Sequence, residues 1–81
     1  MSAYLERAAA LMASKQLELE TKGYSPRLAR AAVDRARGSA EQKTMPVSQA
    51  IREQAFLDIL TAELRQAEGW CSRELHGITA R

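Results

Sequence analysis

Thr21-Lys22-Gly23-Tyr24-Ser25-Pro26-Arg27-Leu28-Ala29-Arg30-Ala31-Ala32-Val33, residues 21–33, contains the end of one helix and the start of the next. Gly23 suits the left-handed residue that closes a helix. Ser25 can accept a hydrogen bond from an exposed backbone N–H of the following turn, and Pro26 fits the first helical position, where no amide hydrogen is needed. A stop and a restart within four residues describe a helical hairpin.

Upstream, apolar residues recur at a period near 3.6 and predict a first helix over 2–22, with Ser2 as its cap. Tyr4, Leu5, Ala8, Leu11, Met12 and Leu19 fall within one arc, whereas Leu17 points the opposite way and is expected to be exposed or an intermolecular contact. Downstream, a second helix is predicted over 26–37, ended by Gly38. Leu28, Ala29, Ala32, Val33 and Ala36 form its inner face, and so many alanines imply close approach of a neighbour. Residues 38–45 read as a polar linker.

Met45-Pro46-Val47-Ser48 opens a third helix predicted over 46–76, about 45 Å long at 1.5 Å per residue. Its first half carries two apolar faces, Val47/Ile51/Ala55/Ile59/Ala62 and Phe56/Leu57/Leu60/Leu64, the pattern of a helix wedged between neighbours. Beyond Leu64 the apolar stripe narrows to Leu64, Ala67, Cys71 and Leu75, with Trp70 beside it. Two short helices leave that end uncovered, so Leu64, Ala67, Trp70, Cys71 and Leu75 are expected to form a seam with a second copy or a partner. Gly69 invites either close approach of another backbone or an early end to the helix. The expected fold is an all-α, three-helix small domain with a long C-terminal helix, oligomeric through that helix.

The chain has 81 residues, 46% hydrophobic and 27% charged, which matches one globular domain rather than a disordered chain. The single cysteine, Cys71, cannot form an intramolecular disulfide, and the single histidine, His76, is too little for a zinc site. The apolar run Ala8–Ala13 is short, follows Glu6 and lacks a preceding basic segment, so it is not read as an export signal. No segment is long enough to span a bilayer, and a reducing cytoplasm is the expected location.

Cys71 and His76 lie about 140° apart on one helix and do not converge as nucleophile and base. Glu63, Glu68 and Glu74 lack the histidines of a di-metal bundle. No glycine-rich phosphate loop or common catalytic motif appears, so neither catalysis, metal nor cofactor is expected.

The net charge of +2 conceals a basic middle. Lys22, Arg27, Arg30, Arg35, Arg37 and Lys43 outweigh Asp34 and Glu41 within residues 22–43. A helix, a glycine turn and an arginine-bearing helix resemble a helix-turn-helix in outline, making Arg27, Arg30 and Arg37 a candidate surface for nucleic acid or an acidic protein. Leu19 stands where close helix crossing favours a small residue, and no Asn or Gln near the start of the second helix is placed to read base edges. The leading expectation is therefore a non-enzymatic interaction module, an inhibitor, adaptor or regulator that binds a larger protein or itself. A small nucleic-acid-binding regulator is the alternative, and a subunit of an enzyme assembled across chains is a third.

Overall fold

The computed structural model describes the backbone of residues 3–79 and side chains up to Leu75. The proposed Ser2 cap and the His76 side chain lie outside those limits. Every element is helical: α1 (Ala3–Thr21), α2 (Pro26–Thr44), α3 (Gln49–Arg65) and α4 (Ala67–Thr79). They form three rods running up, down and up, the third made of α3 and α4. The centre is α2, which packs against all the others.

The hairpin is built as residues 21–33 specify. The Gly23 N–H donates to the Glu20 carbonyl at 3.0 Å and the Tyr24 N–H reaches back to Leu19 at 3.1 Å, satisfying carbonyls at the end of α1. Gly23 has φ 106°, a conformation that a Cβ would strain. Tyr24 then packs on the cluster containing Leu19, which pins the turn. At the restart, Ser25 is extended and its Oγ accepts the Leu28 N–H at 3.2 Å.

The expected end of the second helix at Gly38 is wrong, and so is the 38–45 linker, because α2 continues to Thr44. Burial explains the difference. Ala36, Ala40 and Thr44 follow at four-residue spacing and all are buried against the rest of the bundle, a gain that outweighs the roughly 1 kcal/mol cost of glycine inside a helix. The Thr44 hydroxyl donates to the Ala40 carbonyl at 2.5 Å, so it enters the core satisfied.

The third helix starts at Gln49 rather than residue 46. Met45 to Ser48 form a turn whose carbonyls are served by Arg52, which donates to Met45 O at 3.3 Å and Val47 O at 3.1 Å. The expected continuous rod is also interrupted. Gln66, at φ −90° and ψ −3°, separates α3 from α4, three residues before the glycine suspected of ending the helix. Gly69 stays helical and approaches no other backbone, since a Cβ there would meet only the Arg73 guanidinium at 3.5 Å.

The core divides in two. Ala8, Val33, Ala36 and Ala40 meet Phe56, Leu57, Leu60 and Leu64, and Tyr4 closes one end by an edge-on contact with Phe56, ring centroids 6.1 Å apart. In the smaller part, Leu19, Ala29 and Ala32 meet Ala67 and Cys71, edged by Tyr24, Leu28 and Trp70. Of the arc expected to be buried on α1, Leu5 and Leu11 remain exposed. They flank the arc, and a narrow bundle of 46 × 22 × 15 Å covers only its centre.

Candidate functional site

Arg27, Arg30 and Arg37 are exposed on the outer side of α2. Two are already engaged along their own helix, Arg30 with Asp34 at 4.0 Å and Arg37 with Glu41 at 3.8 Å. The other basic residues of 22–43 are met mostly from elsewhere. Lys22 contacts Glu68 of α4 at 2.5 Å and Glu18 of α1 at 3.5 Å. Those partners raise its pKa, first through the hydrogen bond to Glu68.

Lys43 is paired with Glu63 of α3. The Arg35 guanidinium lies over the Trp70 ring, 5.7 Å from its centroid, with Nε buried and without a hydrogen-bond acceptor. Among the described residues, only Arg27 of these six cations has neither a carboxylate within 4.0 Å nor an aromatic face. The basic block of the linear sequence is thus largely balanced in three dimensions.

Glu63 is the most enclosed acid among the described residues, its side chain 6% exposed against 59% for Lys43. The hydrogen bond from Lys43 holds its carboxyl below the usual range despite burial, with the Ser39 hydroxyl and the Arg35 charge acting in the same direction. This is a structural pairing that clamps the end of α2 to α3.

The expected seam is divided by the fold. Leu64, Ala67 and Cys71 are buried inside the single chain, against α1 and α2, and need no second molecule to cover them. Trp70 is half-buried and Leu75 remains exposed. Cys71 is fully enclosed and its sulfur contacts the Leu28 carbonyl at 3.9 Å. Burial raises its pKa and Glu68 adds to the effect, so at neutral pH it is a protonated packing thiol rather than a nucleophile. Among the described residues no three potential metal-binding side chains gather, and no helix is long and apolar enough to cross a membrane.

The uncovered apolar surface lies mainly at the other end. Of the two apolar faces of α3, the one containing Phe56, Leu57, Leu60 and Leu64 is buried. The other, which Val47 of the preceding turn extends, is mostly open: Ile51 is 59% exposed, Ala62 is open, Val47 and Ala55 are half-covered, and Ile59 at its edge packs against the core. Near the start of α3, where α1 begins and α2 ends, Tyr4, Leu5, Thr44, Met45 and Phe56 line a concavity of about 250 Å³ with Glu41 and Arg52 at its polar edge. Met45 is 75% and Leu5 55% exposed there. The sequence shows this row but suggests a helix wedged between neighbours on both faces, whereas the bundle covers only one; Met45 was hidden because it falls in the expected polar linker.

No protein-family model, curated protein or solved structure matches this chain.

Proposed function

We propose that the chain is a non-enzymatic protein-interaction module, of the kind that inhibits, adapts or regulates a larger protein by occupying part of its surface. The observation that carries this reading is the outward apolar row of α3 and the turn before it, in which Ile51 and Ala62 are exposed and Val47 and Ala55 half-covered on the side opposite the buried face. Contiguous apolar surface of this kind marks interaction sites more often than isolated exposed residues do. Full burial of an isoleucine contributes about 1.5–3 kcal/mol, so covering Ile51 alone is worth a large part of that.

The buried thiol and the largely balanced charges fit the same reading. The second reading, nucleic-acid binding, draws on the exposure of Arg27, Arg30 and Arg37 along one face. The pairing of Arg30 and Arg37 with acids of the same helix weakens the field such binding would use.

The discriminating experiment compares wild type, Ile51→Asp, and the triple change of Arg27, Arg30 and Arg37 to Glu. Each is tested for retained helical circular dichroism, for complexes from the native host that survive nuclease, and for salt-dependent binding to nucleic-acid probes. The expected result is a nuclease-resistant complex abolished by Ile51→Asp and largely kept by the triple variant. Steeply salt-dependent probe binding, lost in the triple variant and kept by Ile51→Asp, would replace this proposal with the second reading.

A further inference from the structure

Gln66 interrupts the third rod although nothing in its chemistry ends a helix. Leu64, Arg65, Gln66 and Ala67 are all good helix formers, with no glycine, proline or β-branched residue among them. The buried positions Leu60, Leu64, Ala67 and Cys71 also keep helical spacing across the break. The interruption is therefore held by what α4 rests on, not by the local sequence. At φ −90° and ψ −3° the Gln66 N–H takes the Glu63 carbonyl at 3.1 Å. A change of about 40° in ψ would restore ordinary helix geometry. Residues 49–79 would then be one straight helix, and α4 would be carried on a new axis.

The principal contacts of α4 lie on α2, with Leu19 of α1 and Lys22 of the turn beside it. Glu68 accepts from Lys22, Trp70 lies against Arg35, Cys71 contacts the Leu28 carbonyl, and Ala67 with Cys71 fills the cradle of Leu19, Ala29 and Ala32. These contacts do not require the helix to come from the same chain. The dock is also shallow. Among the described side chains, Cys71 is the largest fully buried one that α4 contributes, with Trp70 half-buried and Leu75 exposed. An element whose described side chains are fully buried only at an alanine and a cysteine belongs to the low-stability end of a fold, and exchange of such an element is an established route to dimers.

We propose that α4 is exchangeable: with Gln66 straightened, it leaves its own cradle and fills the same cradle on a second copy, whose α4 returns the exchange. The occupant is a second copy because the cradle is matched to α4 itself, with Lys22 for Glu68, Arg35 for Trp70 and an alanine floor for Ala67 and Cys71. This dimer is independent of the outward row of α3, so it can fail while the interaction reading stands.

The test uses full chains carrying Cys71→Ala, one with Lys22→Cys and the other with Glu68→Cys. Neither closed monomer can bring the two new thiols together, but the exchanged dimer places them in the former ion pair. Mixing the two with a short bis-maleimide, which spans the length of the replaced side chains, should give a covalently linked heterodimer. Light scattering of chains without these changes should show a dimer that grows with concentration. Gln66→Ala should raise the dimer association constant roughly fourfold, since alanine's helix preference is worth about twofold at each of two hinges, and Gln66→Gly should lower it. A monomer at every concentration for both wild type and Gln66→Ala overturns the proposal. So does a dimer whose mixed variants never cross-link, because it must form through another surface.

Discussion

Lys43→Met is expected to destabilise the fold by leaving Glu63 enclosed without its cation. The magnitude follows from the unequal exposure of the two partners. A fully buried pair loses about 3–5 kcal/mol when one member is removed, whereas an exposed pair is worth about 0–1 kcal/mol. Glu63 is almost wholly covered and Lys43 more than half open to water, which places the expected loss near 1–2 kcal/mol. In a domain of this size that corresponds to a fall in melting temperature of about 5–15 °C.

The pH dependence supplies the refutation. Lys43 lowers the carboxyl pKa of Glu63 in the folded state, so the pairing stabilises above the unfolded carboxylate pKa and is lost as pH falls through the lower, folded value. Urea unfolding of wild type and Lys43→Met should therefore differ at pH 7 and converge under strongly acidic conditions. Glu63→Gln, which removes the charge but keeps the shape, should flatten the same acid limb in an otherwise wild-type chain. An equal loss at both pH values would refute the ion-pair account and leave packing of the lysine stem as the cause.

Gly38→Ala should stabilise the protein by up to about 1 kcal/mol, because a Cβ there meets nothing within 4 Å and the helix gains a better former. Gly23→Ala should destabilise by about 1 kcal/mol or more, because φ 106° penalises any side chain, and chemical denaturation of the two variants side by side checks the opposite signs. Leu60→Ala should cost about 2–5 kcal/mol, since Leu60 is fully buried in the larger cluster, and a loss below 1 kcal/mol in the same assay would contradict that placement. Ser25→Ala should cost about 1 kcal/mol through the lost cap on Leu28, measured by thermal unfolding.

The hairpin was legible because glycine, serine and proline each impose a local backbone requirement that does not depend on distant contacts. The alanine face of α2 was legible for a similar reason, since its period is written in consecutive residues. What local reading missed was decided by tertiary burial. Gly38 reads as a stop until Ala40 and Thr44 are seen to continue the buried stripe of Ala36. Gln66 reads as helix until α4 is seated on α2.

The candidate surfaces followed the same division. The exposure of Arg27, Arg30 and Arg37 was readable from the helical period, but the charges brought by Glu63 and Glu68 from other helices were not. Leu64, Ala67 and Cys71 looked exportable because the sequence gives no measure of how closely alanine-lined helices approach.

The two connections, residues 22–25 and 45–48, are short turns between antiparallel neighbours. Each brings together helices adjacent in the chain, so little loop-closure entropy is spent before contacts form, and topologies dominated by such nearby pairings fold in microseconds to milliseconds. Rapid reclosure has a consequence for survival in the presence of proteases. When opening and closing outpace cleavage, degradation follows the equilibrium fraction of open chains rather than the height of an unfolding barrier. Lifetime in such a chain is set by free energy, so a substitution that alters stability should alter abundance in the same direction even when every binding surface is untouched.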